Sequence, residues 1–474
     1  MSKATLGTVT LDDVRTYLEE QSQDALVGLL MEQAQREEGL RRSLQIQAAK
    51  RVAKGLDLKA YRRAIDDAVQ VDGYVTYREA SGYASDIEGA IDPVEELLGQ
   101  GHAAEAIDLC EYALAVVERA IESVDDSDGG MSVILERLQE LHLTACRKAK
   151  PDPEELAERL FDWEMRTQWD TFHGAAERYA EVLGREGLAA YRQWAEIEWE
   201  KVPFVKPGQK DPQAYGKRFR ITHIMETLAR VSGSVDEQVA IQSRDLSSAY
   251  AFLRIAETLK QAKRHDEAVD WAERGVKAFP QRTDPRLREF LAGEYHRRKR
   301  HEEAMTLIWA SFEEAPWLAQ YQALKSHADR CALWPLWRER ALICLRKKLE
   351  SSGARNADRS TLVQIFLWEK DLAAAWCEAA EGGCSDDLWM KLADLRESDH
   401  PADTLAIVRK RIEPVIGRMG NDSYAEAVRL LRRVNRLMLR LGQEADFMPY
   451  LQNLRARHKP KRNLQKLLDT AKWV

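Results

Sequence analysis

Histidine and cysteine are the residue types in this sequence that could most directly hold a metal ion. His327 and Cys331 lie four positions apart, which places them one helical turn from each other on a common face. No second pair of this kind lies near them in the sequence, and Cys331 is more simply a core residue. The segment from His301 to Met305 begins like the helix of a zinc protease, but Met305 stands where the second histidine ligand belongs. We therefore predict no metal site.

The sequence lacks the local motifs of common enzyme classes. It contains neither the Gly-x-x-x-x-Gly-Lys loop that cradles phosphates nor the Gly-x-Ser-x-Gly turn that exposes a nucleophilic serine. A Ser/His/Asp triad assembled from distant positions stays open, although no residue pattern favours one. We predict a chain without catalytic residues, without a cofactor and without enzymatic activity.

The C-terminal end of the sequence is strongly basic. Residues 455–474 include seven Lys or Arg residues and a single acid, Asp469. Five of these basic residues could contact phosphates: Arg455, Arg457, Lys459, Lys461 and Arg462. The alternative is a charged tail that folds back on the acidic N-terminal third, since residues 85–130 carry thirteen Asp or Glu and one basic residue, Arg119. The two interpretations are about evenly supported, so we keep nucleic acid as an alternative partner and do not favour it.

The composition is that of a helical chain with an ordinary capacity to form a core. Of 474 residues, 45% are apolar and 31% are charged, while only 14 are proline and 25 are glycine. The 71 Lys and Arg residues are outnumbered by 78 Asp and Glu residues, so the chain as a whole is not a polyanion binder. Apolar residues recur with the helical period, and no segment alternates with the period of two that marks a β-strand. We predict an all-α fold.

Nothing in the sequence indicates export or membrane insertion. The first ten residues lack the apolar run of a signal peptide, and no stretch approaches the roughly 18 apolar residues of a membrane span. The six cysteines are scattered and form no Cys-x-x-Cys pair, as expected for reduced thiols in a cytosol. We expect a cytoplasmic protein without membrane contact.

Two segments 36 residues apart repeat each other. Arg264–Ala268 has the sequence Arg-His-Asp-Glu-Ala, Arg300–Ala304 has the sequence Arg-His-Glu-Glu-Ala, and Pro280 recurs as Pro316 at the same offset. Each unit is predicted to be a helix, a short turn that begins at the Arg-His pair, and a second helix ended by the proline. One such pair leaves an apolar face uncovered, so further pairs must stack on it.

This pattern resembles the tetratricopeptide repeat. Small residues stand where the paired helices of that family approach closely, at Ala256 and Ala268 in the first unit and at Ala292 and Ala304 in the second. The family's large residue early in the first helix is Phe252 in the first unit, whereas Arg288 stands there in the second. The resemblance implies an α-solenoid of stacked antiparallel helix pairs with an inner groove.

The same resemblance implies a partner-binding groove lined by first-helix residues that point away from the packing face. The corresponding positions are Tyr250, Leu253, Arg254, Glu257, Arg286, Glu289, Gly293, His296 and Arg297. Leu253 and Glu257 do not fit the Lys- and Asn-rich clamp for peptide C-termini, whereas a mixed-charge groove suits a helix or an extended acidic segment. The basic run from His296 to His301 either contacts an acidic ligand or, as we favour, stabilises a helix C-terminus.

Composition shifts divide the chain into four regions. All 13 Trp residues lie at or after Trp163, and Pro151 and Pro153 mark a boundary near residue 150. Residues 203–216 and 351–356 have the composition of loops. The predicted regions are an acidic N-terminal helical region (1–150), a Trp-rich helical connector (151–212), tetratricopeptide-like repeats (213–350) and C-terminal helical repeats with a basic tail (351–474).

The order of segments along the chain resembles the helical C-terminal region of bacterial SWIM zinc-finger proteins. The motifs that carry this resemblance are Thr10–Val14, Asp125–Gly129, Phe219–Thr222, Ser243–Ser247, Arg282–Asp284, Glu294–Arg297 and His458–Asn463. The family's finger, a Cys-x-Cys followed by a Cys-x-His, lies before the region corresponding to Thr10, where this sequence has nine residues without Cys or His. No metal ligand therefore carries over. Either the chain is a piece of a longer protein or it is a relative without the finger.

Together these patterns predict a non-catalytic helical-repeat scaffold that mediates protein–protein interaction. The sequence does not specify the identity of the protein partner. The alternative is a nucleic-acid-associated accessory subunit that uses the basic C-terminal region.

Overall fold

The computed structural model divides the chain into two compact units. One comprises Met1–Ser247 with Gln261–Lys263, and the other comprises Ser248–Lys260 with Arg264–Val474. Within them the structure describes residues 10–36, 40–41, 44, 48, 56–71, 73–209, 216–281, 283–351, 358–471 and 473. The four regions inferred from composition stay a prediction.

The N-terminal unit is built from helices. Those described are α1 (Leu11–Glu19), α2 (Gln23–Arg36), α3 (Leu58–Val69), α4 (Tyr77–Gly99), α5 (Ala103–Ile121), α6 (Gly130–Ala149), α7 (Pro153–Arg166), α8 (Ala175–Arg178), α9 (Ala180–Trp199), α10 (Lys217–Ser232) and α11 (Val235–Gln242). Two isolated β-bridges, Val75 to Val124 and Val205 to Asp245, do not extend into strands within the described residues.

One apolar core joins α3 to α11 of this unit. Along α4, for example, Ile87, Ile91 and Val94 recur every three or four residues and are fully buried. Phe172, in the turn before α8, is 1% exposed and contacts the rings of Trp163 and Tyr179 at centroid distances of 5.5 and 5.9 Å. The turn between α7 and α8 is therefore anchored in the core through an aromatic side chain.

The C-terminal unit is also helical. Its described helices are α12 (Ala249–Gln261), α13 (His265–Ala278), α14 (Pro285–Arg297), α15 (His301–Glu314), α16 (Leu318–Asp329), α17 (Trp334–Ser351), α18 (Ser360–Trp368), α19 (Leu372–Gly382), α20 (Asp386–Arg396), α21 (Pro401–Gly417), α22 (Asn421–Arg440), α23 (Glu444–Arg457) and α24 (Arg462–Thr470).

The 36-residue repeat extends to the backbone. Helices α12 and α13 form the first pair, and α14 and α15 form the second. Lys263 and Lys299, 36 residues apart, both have left-handed φ angles, of 63° and 62°. Arg264 and Arg300 are the N-caps of the second helices, and the following histidine is already helical. The turn thus ends at the Arg-His pair, which corrects the predicted turn that begins there.

The first pair is held at close range by a glycine. A Cβ atom built on Gly275 of α13 would lie 2.6 Å from Cβ of Phe252 in α12 and 2.8 Å from Cδ2 of Leu287 in α14. Real Cβ atoms do not approach other carbons so closely, so a larger residue would push one of these helices away. Gly275 therefore sets the separation of three consecutive helices.

The second pair replaces this apolar contact by an ion pair. Arg288 stands 36 residues after Phe252 and is 3% exposed. Its guanidinium donates to both carboxylate oxygens of Glu314, at 2.6 and 2.9 Å. Ser311, which stands 36 residues after Gly275, lies 3.4 Å from the same guanidinium. The bidentate pair compensates a buried charge that would otherwise be costly, so the departure from the repeat pattern at Arg288 is matched by its surroundings.

Substituting Gly275→Ala should lower the free energy of unfolding by about 1–3 kcal/mol, because the added methyl group overpacks the contact between α12, α13 and α14. Gly293→Ala is the matched control. It lies inside α14 with no atom within 4 Å of a built Cβ, so alanine there should stabilise by roughly 0.5–1 kcal/mol through helix propensity. Urea unfolding followed by circular dichroism measures both, and equal effects of the two changes would contradict the close-packing argument.

The end of the chain packs as a helix. Helices α21 to α24 share an apolar core, to which α24 contributes Leu464 and Leu468, both fully buried. The basic tail predicted from the sequence is therefore part of the folded C-terminal unit as far as α24.

The prediction of an all-α, tetratricopeptide-like fold is confirmed. The described residues form helices and no strand, and the repeated helix pairs occur where the sequence repeat predicts them. Among the described helices, none combines the length and the apolar character that crossing a bilayer requires.

Candidate functional site

One face of α14 forms the floor of a groove in the C-terminal unit. Arg286, Glu289, Gly293 and Arg297 recur every three or four residues, so the helical period places them on one side of the helix. With residues of neighbouring elements they line a cavity of about 460 Å³. The lining residues, called the repeat groove below, are Glu257, Lys260, His265, Arg286, Glu289, Phe290, Gly293, Glu294, Arg297 and Arg330.

The structure brings together in the repeat groove five of the residues singled out from the sequence, namely Glu257, Arg286, Glu289, Gly293 and Arg297. The others lie outside its lining. Leu253 and His296 are 3% and 8% exposed and belong to the packed sides of their helices. Tyr250 is 44% exposed, with the Arg286 guanidinium 4.6 Å from its ring centroid, and Arg254 is partly buried. The partner-binding role of all these residues stays a prediction.

A buried carboxylate organises the cations of the groove. Glu294 is 1% exposed, and its oxygens lie 3.0 Å from Lys260 Nζ, 2.8 Å from Arg297 Nη2 and 3.0 Å from Arg298 Nη1. Burial alone would raise the pKa of Glu294, but the hydrogen bonds from Arg297 and Lys260 outweigh burial and hold this pKa below its usual value. Glu294 is therefore an ionised anchor that fixes two groove cations in place.

Three charged groups of the groove are available to a ligand. Glu257, Glu289 and Arg330 are exposed, and none of them forms an ion pair with another residue in the described part of the chain. Phe290 also lines the groove, partly buried, with Lys260 Nζ 5.0 Å from its ring centroid. Sequence reasoning missed Arg330 because it follows α16, outside the repeat register that locates first-helix residues.

Three histidines, one each from α14, α15 and α16, pack against one another. His296 Nδ1 and His301 Nδ1 are 2.7 Å apart, and the rings of His296 and His327 are 5.1 Å apart. Burial, together with the positive charge of Arg330 and the neighbouring His296, lowers the pKa of His327 to about 4. Cys331, weighed with His327 as a metal pair, has its Sγ 3.3 Å from a backbone oxygen of its own helical turn. The structure therefore brings three histidines together, and the lowered pKa of His327 keeps that side chain neutral at pH 7.

The histidine cluster predicts an acid-sensitive fold. Unfolded His327 would bind a proton near pH 6.5, whereas the folded side chain resists protonation down to a pKa of about 4, so stability is lost as pH falls through this interval. His327→Gln removes this proton uptake, and its urea midpoint should fall less between pH 7 and pH 5 than that of the parent. His400→Gln, at an exposed histidine, should keep the parent's pH dependence. If the urea midpoint of His327→Gln fell between pH 7 and pH 5 as much as that of the parent, the assignment to His327 would be refuted.

Three of the five predicted phosphate-binding residues are engaged within the C-terminal unit. Arg455 pairs with Asp469, and Arg457 Nη1 lies 2.6 Å from Glu413 Oε1. Lys461 Nζ donates to a backbone carbonyl oxygen in α21 at 3.3 Å. These contacts secure α23 and α24, so the three side chains contribute to the fold.

The other two predicted phosphate-binding residues, Lys459 and Arg462, are exposed. Neither forms an ion pair with a residue that the structure describes. Further exposed cations lie on one side of α22, where Arg429, Arg432 and Arg436 recur every three or four residues, also without a described ion-pair partner. The C-terminal region therefore keeps some basic surface that its own carboxylates do not neutralise.

A second constellation lies in the N-terminal unit, and the sequence analysis did not find it. Glu164 in α7, His173 in the turn before α8 and His223 in α10 each offer a ligand atom, and these atoms lie within 4.8 Å of one another. The two imidazole rings stack with their centroids 3.5 Å apart. No motif spacing in the sequence predicts this group, because its members come from three elements that only tertiary packing brings together. The absence of a metal site expected from the sequence stays a prediction.

Glu164 is the buried member of this group. Its exposed fraction is 2%, and burial raises its pKa to about 7, although hydrogen bonds from Tyr191 and from the Gly174 backbone oppose this shift. The Tyr191 hydroxyl donates to one carboxylate oxygen at 2.5 Å, and the Gly174 N–H donates to the other at 2.8 Å. Glu164 thus ties the turn that carries His173 to α7 and to α9.

Comparison with protein families gives one assignment. The model of DUF6880, described as a family of unknown function, matches residues 15–464. The chain belongs to this family. The matched range contains both the repeat groove and the Glu164 constellation, so both lie within the DUF6880 region.

Comparison with individual proteins adds little for this DUF6880 member. The search of curated proteins finds no match. Among solved structures, a human IFIT1 dimer with PPP-AAAA is 11% identical and matches at a TM-score of 0.21, over 87% of this chain and 96% of that chain. A human IFIT1 dimer with m7Gppp-AAAA is 12% identical at the same TM-score of 0.21, over 84% and 94% of the two chains. No conclusion about this chain rests on either likeness.

Proposed function

We propose that this chain is a non-catalytic helical-repeat scaffold that binds a protein partner through the repeat groove. One observation carries the proposal, namely that the groove has a volume of about 460 Å³ and exposes Glu257, Glu289 and Arg330 without a described ion-pair partner. The ion pairs of Glu294 hold Lys260 and Arg297 in place, so a partner meets a preorganised charge pattern. Stacked helix pairs commonly present such extended binding surfaces.

The charge pattern indicates the chemistry of the partner segment. Four cations line the groove (Lys260, Arg286, Arg297 and Arg330) against three carboxylates (Glu257, Glu289 and Glu294). Glu294 pairs with Lys260 and Arg297, and Asp284 pairs with Arg286, so the charged groups left to a ligand are Glu257, Glu289 and Arg330, a set of mixed charge. A segment of mixed charge, with a carboxylate for Arg330, a cation for Glu257 and Glu289 and an apolar residue over Phe290, satisfies this surface best.

Charge reversal tests this function directly. Arg330→Glu should reduce partner binding at least about tenfold, since it removes an attractive charge and introduces a repulsive one. The partner is first captured from the native cell by the parent protein and identified by mass spectrometry, and its affinity is then measured by titration calorimetry. Arg436→Glu, at an exposed cation on α22 outside the groove, is the matched control and should bind like the parent.

Two outcomes would remove the groove from the proposal. One is a partner that binds Arg330→Glu as tightly as the parent, and the other is an equal loss in Arg436→Glu. Thermal unfolding of each variant distinguishes a lost contact from a lost fold.

A nucleic-acid-associated accessory subunit is the second candidate function. It is favoured by the exposed cations Lys459 and Arg462, which have no described ion-pair partner. This alternative predicts a gel shift that weakens steeply with salt, because each phosphate contact releases counterions from the nucleic acid on binding. The double change Lys459→Glu and Arg462→Glu should abolish the gel shift, because it removes two of these contacts. Lys461 is left intact because it bonds to α21. Lys391→Glu, an exposed cation outside this region, serves as the control, and a shift unaffected by the double change would eliminate the alternative.

The proposal has further parts that the sequence supports. The resemblance to the helical region of bacterial SWIM zinc-finger proteins supports a bacterial origin, and a finger supplied by another chain belongs only to the nucleic-acid alternative. The six free cysteines suit a reducing cytoplasm. We include both in the proposed function, together with the absence of catalysis.

A further inference from the structure

The stacked histidines of the N-terminal unit face a buried carboxylate. Glu164 lies in the last turn of α7, His173 lies in the turn before α8, and His223 lies in α10. We propose that Glu164, His173 and His223 bind one divalent metal ion of the zinc type. This proposal does not depend on the repeat groove or on the proposed scaffold function.

The donor set selects the class of metal. Two imidazole nitrogens and one carboxylate oxygen suit Zn²⁺ and neighbouring transition metals, whereas Mg²⁺ prefers oxygen ligands alone. Metal–nitrogen bonds of about 2.0–2.1 Å require ligand atoms roughly 3.3 Å apart in a tetrahedral site. The three ligand atoms already lie within 4.8 Å of one another, and both histidines are partly exposed, so rotations of His173 and His223 can close the remaining distance.

The carboxylate is held in the manner of a metal ligand. One oxygen of Glu164 accepts a hydrogen bond from the Tyr191 hydroxyl at 2.5 Å and the other from the Gly174 N–H at 2.8 Å, and the Ala175 backbone also hydrogen-bonds this carboxylate. A carboxylate offers about four lone pairs, so three such hydrogen bonds leave one for a metal ion. Outer hydrogen bonds of this kind orient ligating side chains and raise metal affinity.

The surroundings leave room for a further ligand. Glu164 and His173 line a cavity of about 170 Å³ together with Thr171 and Arg220. Thr171 is fully buried, and its Oγ1, like Nε of Arg220, has no hydrogen-bond partner among the described residues. Buried polar atoms are normally satisfied, so these two indicate a polar occupant of the cavity. Three protein ligands with an adjacent cavity match a metal site that keeps one position open for water or a small anion.

Metal titration of the full chain tests the proposal. Protein freed of metal by a chelator should bind one equivalent of Zn²⁺ in calorimetry and gain thermal stability by mass action, while Mg²⁺ should give neither effect. His173→Ala and His223→Ala should each weaken Zn²⁺ binding at least about tenfold, and the double variant should bind none. His102→Ala, at a partly exposed histidine beside Glu105 in the same unit, is the matched control and should bind like the parent.

A measurement on the unmodified protein keeps the test independent of variants that fail to fold. Co²⁺ in place of Zn²⁺ should show the visible absorption of a nitrogen- and oxygen-ligated ion without a thiolate charge-transfer band. Absence of stoichiometric Zn²⁺ binding, a thiolate band, or full binding by the His173→Ala/His223→Ala protein would overturn the proposal. After any of these results, the remaining role of Glu164 would be to hold the turn before α8 through its hydrogen bonds.

Discussion

Close approach of helices through small side chains is the constraint on which the repeat region depends. Gly275 leaves no space for a methyl group between Phe252 and Leu287, so α12, α13 and α14 are held at a separation set by a backbone surface. Ala256, Ala268, Ala292 and Ala304 are all fully buried and play the same part along the two pairs. Because each pair buries its apolar face against the next, loss of one contact weakens a neighbour as well.

The close packing of these helices also makes the repeat groove rigid. Helix α14 buries Leu287, Leu291 and Ala292 on one side and presents Arg286, Glu289 and Gly293 on the other. A helix locked into the core cannot rotate its exposed side chains away, so the charge pattern is fixed by the same contacts that stabilise the fold. Glu294 lies at the boundary between the two sides, and its ion pairs extend this order to the ends of Lys260 and Arg297.

The sequence predicts the features that follow from periodicity. Helical spacing and the 36-residue offset suffice to predict the all-α fold and the helix pairs, and the resemblance to the tetratricopeptide repeat implies five residues of the groove. Leu253 and His296 were expected in the groove but lie on the packed sides of their helices. The repeat offset assigns equivalent positions, but it does not show which neighbouring side chains cover each position. Arg330 joins the groove from another helix pair. The ion pair of the buried Arg288 with Glu314 compensates a mismatch that the sequence alone shows as a departure from the repeat.

The Glu164 constellation belongs to a different class of structure, since it depends on a turn and not on a period. Asp170, Phe172 and Gly174 all have positive φ angles, and the first two pay of order 1–3 kcal/mol each for a conformation that side chains disfavour. Burial of the Phe172 side chain offsets this cost. In addition, Gln139 Oε1 accepts a hydrogen bond from the Phe172 N–H at 2.8 Å. The strained turn is thereby held in place by contacts from α6, α7 and the core. Its consequence is that His173 lies against His223 and beside Glu164, an arrangement that no local pattern in the sequence encodes.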